Sequence, residues 1–146
     1  MLKNLGRRLF VLAASFALFA GVLPASFDVA HALPVIENVE NEALPAGATF
    51  EQVEQSVLTA LTSRGWQIVS RSEGAVEAQY ARRDFSVNIR VSYTASTFSV
   101  IYLDSVGLRY DPEDQTIHRN YNRWISNLRV DIARYVQNAT MGAPIG

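Results

Sequence analysis

The segment FSVNIRVSY, residues 85–93, alternates strictly between apolar and polar side chains. An alternation with a period of two is typical of a β-strand that has one face in a core and the other in solvent. The connecting segments on either side, residues 82–84 and 94–97, are too short for a crossover, so both neighbouring strands should pair with this one as hairpins. The segment therefore predicts an antiparallel sheet with one apolar face.

Working outward from this segment, the sequence predicts four strands and two helices. The strands are expected at residues 66–71, 75–81, 85–93 and 98–104. The first helix is expected at residues 50–64, because Thr49 and Gln52 form a capping-box pair at its start and Gly65 can end it with a positive φ. The second helix is expected at residues 118–137, where apolar residues recur at helical spacing.

The order of these elements indicates an α+β fold. Each predicted helix has one apolar stripe, and the simplest arrangement buries both stripes against the apolar face of the sheet. We therefore expect a two-layer α-β-β-β-β-α sandwich, in which a four-stranded antiparallel meander carries both helices on one face. An extended leader at residues 33–47 should precede this single α+β domain at residues 48–138, and a flexible C-terminal tail at residues 139–146 should follow it.

The first 32 residues have the three parts of a cleavable secretory signal. Lys3, Arg7 and Arg8 are positive, residues 9–23 are apolar, and Ala30-His31-Ala32 places small residues at positions −3 and −1. The apolar run of 15 residues is shorter than the roughly 20 that span a bilayer. We therefore predict a signal peptide that is cleaved after Ala32 and a periplasmic or secreted protein. The alternative is an uncleaved N-terminal membrane anchor.

The composition of the chain expected after cleavage limits the classes of function. It has no cysteine, which excludes disulfides, thiolate catalysis, cysteine-ligated metals and the acylated cysteine of lipoproteins. Cleavage removes three of the 13 basic residues and one of the 14 acidic residues, so the net charge changes from −1 to −3. This charge argues against a nucleic-acid partner and against attraction to an anionic membrane after signal cleavage.

The polar and aromatic residues between positions 104 and 127 form the richest candidate site. They surround the predicted start of the second helix, where free backbone N–H groups favour anions. Asp104, Ser105 and His118 are the residue types of a serine hydrolase, but no nucleophile elbow or glycine-rich oxyanion loop accompanies them. We therefore expect a binding site without catalytic residues. The candidate binding residues here are Ser105, Arg109, Tyr110, His118, Asn120 and Asn122.

Other residues in and near this stretch have plainer expected roles. His118 is the only histidine after the signal segment, and a zinc site without cysteine needs several further ligands, so we expect no metal and no cofactor. Trp124 and Tyr121 belong to the apolar stripe of the second helix and are expected in the core. Asn120 and Asn122 are expected to cap that helix.

The polar face of the predicted sheet is the second candidate surface. Asn88 and Arg90 lie on this face, and open sheets can bind peptides or glycans there. Apolar residues on the same face, at Val69, Ile101 and Leu103, would mark a partner surface or the place where the leader packs.

The segment IHRNYNRWISNL, residues 117–128, resembles the C-terminal signature of a family of small exported proteins of Gram-negative bacteria, many of them described only as lipoproteins or hypothetical proteins. The resemblance extends to Arg64-Gly65-Trp66 and to the segment PVIENV at residues 34–39. It also includes Phe98-Ser99-Val100, Tyr102, Asp104-Ser105, Leu108 and Tyr110. It implies an exported protein in which Phe98, Val100 and Tyr102 face the core, and it implies no activity. The chain departs from the lipoprotein members because it lacks the acylated cysteine.

The sequence therefore predicts an exported, non-enzymatic domain that binds an envelope protein or a glycan. Two alternatives stay open. The first is a hydrolase that uses Asp104, Ser105 and His118, and the second is a structural or stress-related envelope protein. The oligomeric state is not predicted.

Overall fold

The computed structural model describes residues 32–142, which form five strands and two helices. In chain order these are β1 (Val39–Ala43), α1 (Phe50–Ser63), β2 (Gln67–Ser72), β3 (Ala75–Arg82), β4 (Phe85–Tyr93), β5 (Thr97–Val106) and α2 (Asn120–Thr140). The predicted signal segment up to residue 31 and residues 143–146 of the predicted tail lie outside the described residues. The predicted α+β class and the antiparallel sheet are confirmed.

The strands form one antiparallel sheet in the order β1-β5-β4-β3-β2. Strands β2 to β5 follow one another as hairpins, as their short connections predict. The alternating segment that predicted the sheet is β4, which pairs with β3 without interruption, from Ala75 opposite Ser92 to Arg82 opposite Phe85.

The sheet has five strands instead of the expected four, because part of the leader pairs with β5. Val39 lies opposite Val100 and Ala43 lies opposite Thr97, with an irregular register between Val39 and Glu42. The prediction of four strands is wrong for a physical reason. The β1 sequence, VENEA, lies at the edge of the sheet with one buried residue, so its pairing depends on backbone hydrogen bonds that leave no apolar alternation in the sequence.

The starts of the two helices agree with the sequence to different degrees. At α1 the capping box is confirmed: Gln52 N donates to Thr49 Oγ1 at 3.2 Å, and Thr49 N donates to Gln52 Oε1 at 3.0 Å. At α2 the prediction that Asn120 and Asn122 cap the helix is wrong, because the cap position is Arg119, whose own side chain makes no capping hydrogen bond. Instead, the backbone N of Asn120 donates to Nδ1 of His118 at 3.2 Å.

One hydrophobic core joins both helices to one face of the sheet. Its fully buried members include Val57 and Leu61 of α1, Ile89 of β4, Phe98 and Val100 of β5, and Leu128 and Ile132 of α2. The burial of Phe98 and Val100 agrees with the inward orientation that the resemblance implied. Within residues 32–142, no helix combines the length and the apolar character that a membrane span requires.

A β-bulge in β5 determines which side of the sheet the following residues face. Asp104 pairs with Asn88, but Tyr102 pairs with the very next residue of β4, so Leu103 is an extra residue. As a result, Asp104 faces the polar side of the sheet and Ser105 faces the core side. Strict alternation along the strand would have given the reverse orientations.

Candidate functional site

An aromatic cluster lies where β3 ends, beside the turn that connects α1 to β2. Tyr80 is its centre, with its ring centroid 5.5 Å from that of Trp66, 5.8 Å from that of Phe85 and 5.1 Å from that of Trp124. Phe85 and Trp124 are stacked, with an interplanar angle of 17°. The chain has two tryptophans, and both belong to this cluster.

The cluster borders an open cavity, which we call the aromatic pocket. Its volume is about 150 Å³, and it is lined by Arg64, Trp66, Tyr80, Trp124 and Asn127. Trp66 is buried, whereas Tyr80 and Trp124 are partly exposed. Pockets for drug-sized ligands have volumes of about 300–1,000 Å³, so this pocket has room for one ring-sized group.

A buried carboxylate holds Arg64 at the pocket. The Nε of Arg64 donates to Oδ2 of Asp131 at 2.6 Å, and the other oxygen of Asp131 accepts from Nη2 of Arg134 at 3.0 Å. The side chain of Asp131 is only 7% exposed. The hydrogen bond from Arg64 lowers the pKa of Asp131, and the same bond raises the pKa of Arg64, so both groups are charged at neutral pH.

A guanidinium group without a carboxylate partner lies beside the pocket. Arg64 is paired with Asp131, but the Cζ of Arg82 lies 4.4 Å from the centroid of the Tyr80 ring in a cation–π contact. In the described part of the chain, no carboxylate pairs with Arg82. The charge of the pocket therefore favours an anionic group.

Asn127 contributes an amide with unused hydrogen-bonding capacity. The residue is half-buried at the pocket, and among residues 32–142 no hydrogen bond involves its side chain. An amide donates two hydrogen bonds and also accepts. It can therefore bind a ligand hydroxyl or acetamido group, which likewise donates and accepts.

Two of the residues predicted to bind, Ser105 and Tyr110, belong to a tyrosine cluster that packs on the core. The hydroxyls of Ser105 and Tyr102 lie 2.8 Å apart, and the ring of Tyr110 lies 4.6 Å from that of Tyr102. Tyr121 contacts Tyr102 edge-on and is fully buried, which confirms its expected place in the core. Burial raises the pKa of both Tyr102 and Tyr121, and no described residue bonds to the Tyr121 hydroxyl.

The structure does not bring Asp104, Ser105 and His118 together as a triad. Asp104 accepts a hydrogen bond from Asn88 at 2.7 Å on the polar side of the sheet, whereas Ser105 contacts Tyr102 on the core side. Among the described residues, no hydrogen bond joins any two of the three. Nucleophilic catalysis of this kind needs the nucleophile, the base and the carboxylate in direct hydrogen-bond contact.

Asn122, another predicted binding residue, fastens the leader to α2. Its Nδ2 donates to the carbonyl oxygen of Val35 at 2.8 Å, and its Oδ1 accepts from the backbone N of Glu37 at 3.0 Å. A backbone hydrogen bond also attaches the leader to the loop before α2, since Ile36 N donates to the carbonyl oxygen of Gln115 at 2.7 Å. The side chain of Asn122 therefore has an internal structural role.

The remaining predicted residues near the start of α2 make local contacts. Asn120 Oδ1 accepts from Nη2 of Arg123 at 3.0 Å, one turn along the helix. Arg109 is exposed and has a positive φ of 54° in the loop after β5. His118 donates its backbone N to the carbonyl oxygen of Leu108 at 2.9 Å. None of these residues lines the aromatic pocket.

The polar sheet face pairs its own charges. Arg90 Nη2 donates to Glu77 Oε1 at 2.6 Å, and Asn88 bonds to Asp104 as described above. Cross-strand pairs of this kind stabilise a sheet, so Asn88 and Arg90 already have partners inside the molecule. Within residues 32–142, no three histidine, aspartate or glutamate side chains are grouped as a metal ion would require.

Sequence reasoning missed the aromatic pocket. Trp124 packs against the core as its stripe predicts, but it is only partly buried and also lines the pocket. Two signals could have indicated the site. Trp124 and Asn127 are spaced i, i+3 and so share one helix face, and Arg64-Gly65-Trp66 places a cation and an aromatic ring at the end of the other helix.

Neither the models of known protein families nor the curated proteins match this chain. The resemblance carried by residues 117–128 therefore stays a prediction.

Proposed function

We propose that this chain is an exported, non-enzymatic binding domain that takes a component of the cell envelope into its aromatic pocket. Export is supported by the signal-like pattern of residues 1–32. Binding is supported above all by one observation: both tryptophans of the chain border the same open pocket of about 150 Å³.

The composition of the pocket is that of a small-ligand site. Such sites combine apolar and aromatic walls with a small number of placed polar groups. Here Trp66, Tyr80 and Trp124 supply the walls, and Arg64 and Asn127 supply the polar groups. Tryptophan, tyrosine and arginine are also the residue types that carry most binding energy where proteins meet their partners.

The same residues support binding better than catalysis. A general base must exchange a proton near the operating pH. Arginine stays protonated throughout, and the amide of Asn127 does not titrate. The trio of Asp104, Ser105 and His118 gains no support, since two of its members lie on opposite sides of the sheet.

Tryptophan fluorescence offers a direct test, because both fluorophores line the pocket. The purified exported chain would be titrated with soluble fragments of the envelope glycan and, separately, with peptides from envelope proteins. We expect a saturable change in emission with at least one of these classes.

A matched pair of variants checks that the pocket is responsible. Asn127→Ala removes a pocket amide, whereas Asn138→Ala makes the same substitution elsewhere on α2, outside the pocket. We expect Asn127→Ala to weaken binding and Asn138→Ala to leave it unchanged. Equal affinities in the two variants, or no saturable change with any fragment, would overturn the proposal and favour a structural envelope protein.

A further inference from the structure

We infer that the ligand of the aromatic pocket is a carboxylated sugar, whose ring packs against the aromatic walls and whose carboxylate binds Arg64. This inference rests on the proposed function and names the chemical class of its ligand.

Arg64 presents a free hydrogen-bonding edge at the pocket. Its Nε is committed to Asp131, and in the described part of the chain no hydrogen bond involves its two Nη atoms. The planar guanidinium group of arginine can bind a carboxylate through two parallel hydrogen bonds. The side chain of Arg64 is 44% exposed at the pocket, so this edge is accessible.

The hydrogen bond to Asp131 holds this edge of Arg64 in place. Asp131 is buried and accepts hydrogen bonds from Arg64 and Arg134, which restricts the rotamers of Arg64 before any ligand arrives. A binding group that is already ordered loses less conformational entropy on association. The hydrogen bond to the buried carboxylate of Asp131 thus keeps Arg64 in position for a ligand, and it also joins the two helices.

The charge beside the pocket favours an anion. The chain as a whole is slightly negative, yet Arg82 lies over Tyr80 at the edge of the pocket, and in the described part of the chain no carboxylate pairs with it. A neutral ligand would leave this charge without a partner, whereas a ligand carboxylate would compensate it.

Among ligands with a carboxylate, a sugar matches the walls of the pocket. A sugar ring has an apolar C–H face for the aromatic walls and hydroxyl or acetamido groups for the unused amide of Asn127. The pocket volume of about 150 Å³ fits one such ring. The C-terminus of a peptide also carries a carboxylate, but it carries it on a flexible chain whose ordering costs binding free energy.

Two envelope sugars that differ by one carboxylate test the inference. N-acetylmuramic acid is N-acetylglucosamine with an added lactyl group that ends in a carboxylate. We expect the acid to change the fluorescence of Trp66 and Trp124 at concentrations about tenfold lower than the neutral sugar, because a charge-assisted hydrogen bond contributes this much or more.

Variants identify the group that recognises the carboxylate. Arg64→Gln should weaken binding of the acid about tenfold, to the level of the neutral sugar, and leave binding of the neutral sugar nearly unchanged. Arg134→Gln is the matched control, because Arg134 also binds Asp131 but does not line the pocket. It should keep the preference for the acid. Circular dichroism reports whether the variants fold. If Arg64→Gln does not fold, Arg64→Lys takes its place, because it keeps the positive charge and loses the planar guanidinium group. Its affinity for the acid should be lower than that of the wild type.

Each contrary result has a distinct meaning. Equal binding of the two sugars would overturn the role of the carboxylate and leave the proposed function standing. Binding of an N-acetylated dipeptide with a free C-terminus, in place of either sugar, would overturn the sugar assignment. Loss of the preference for the acid in Arg134→Gln as well as in Arg64→Gln would overturn the assignment of Arg64. If no envelope fragment binds at all, the proposed function itself fails.

Discussion

The Nε of Arg64 lies 2.6 Å from Oδ2 of Asp131, and this hydrogen bond joins the residue that ends α1 to the middle of α2. The carboxylate is buried and also accepts from Arg134. One ion pair therefore contributes to the packing of the helices and to the position of the cation at the aromatic pocket.

The first prediction concerns the stability that Asp131 contributes. Asp131→Asn should lower the free energy of unfolding by about 1–3 kcal/mol at neutral pH, because the two guanidinium groups lose a charged acceptor. Asp104→Asn is the control, because Asp104 is exposed. There we expect the free energy of unfolding to change by no more than about 0.5 kcal/mol. Urea unfolding measures both.

The lowered pKa of Asp131 gives this contribution a pH window. A carboxyl whose pKa is lower in the folded state stabilises the protein above its unfolded pKa, about 3.9, and the stability is lost as the pH falls through the folded value. The difference between wild type and Asp131→Asn should therefore shrink between pH 7 and strongly acidic pH. A difference that stays constant would contradict the assignment.

The second prediction concerns Tyr93. Burial and the hydrogen bond that its hydroxyl donates to Glu54 raise the pKa of Tyr93 to about 12. A pKa raised by folding means that stability is fully present below the unfolded value of about 10 and is lost as the pH rises through the folded value. Absorbance titration of the phenolate should show this late ionisation.

Removal of the carboxylate charge at Glu54 separates the two causes of the raised pKa of Tyr93, which are burial and the hydrogen bond to Glu54. Glu54→Gln should lower the pKa of Tyr93 part of the way towards 10, since the burial that is the larger cause remains. Glu77→Gln, which removes a carboxylate that pairs with Arg90 instead, should leave the titration of Tyr93 unchanged. An identical titration curve in wild type and Glu54→Gln would show that the hydrogen bond does not act on Tyr93.

The third prediction concerns the end of β5. Gly107 has a φ of 75°, and an added Cβ would lie 2.2 Å from the carbonyl oxygen of Asp84. A residue with a Cβ at a positive φ costs roughly 1–2 kcal/mol by itself. Because of the added close contact, Gly107→Ala should lower the free energy of unfolding by clearly more than this. Gly47→Ala is the control, because Gly47 has a φ of 90° but nothing within 4 Å of the added atom. Thermal unfolding that is equal in the two variants would count against the close approach.

The fourth prediction concerns the leader. Asn122→Ala removes two hydrogen bonds that hold the leader on α2, at Val35 and Glu37. Hydrogen exchange at the amides of residues 36–38 should become faster, while exchange in the buried part of β4 stays slow. Asn138→Ala provides the control on the same helix. Unchanged exchange in the leader of Asn122→Ala would mean that backbone pairing alone holds it.

The sequence predicts the fold well where apolar periodicity is strong. The segment 85–93 matches β4 residue for residue, and the capping box places the start of α1 correctly at Phe50. Strand β1 could not be predicted in this way, because an edge strand with one buried side chain has no alternation. The orientation of Asp104 and Ser105 depends on the bulge at Leu103, which depends on pairing with β4 and not on local sequence.

The candidate site was harder to predict than the fold. The polar residues around the start of α2 were predicted to bind a ligand because of their residue types. In the structure, Asn122 bonds to the leader and Ser105 contacts Tyr102. The lining residues of the aromatic pocket come from the C-terminal cap of α1, from the turn before β2, from β3 and from α2. Their proximity arises from helix and sheet packing, so only single features such as Arg64-Gly65-Trp66 are visible in the sequence.

The most direct test of the central claim uses the two indole N–H signals of Trp66 and Trp124 in a two-dimensional NMR spectrum of residues 33–146. Each tryptophan gives one signal, and both residues line the pocket. Titration with N-acetylmuramic acid should shift both signals saturably, and the shifts should require a higher concentration in Arg64→Gln. Indole signals that stay in place throughout the titration, or shifts confined to Asn88 and Arg90 on the sheet face, would contradict the account.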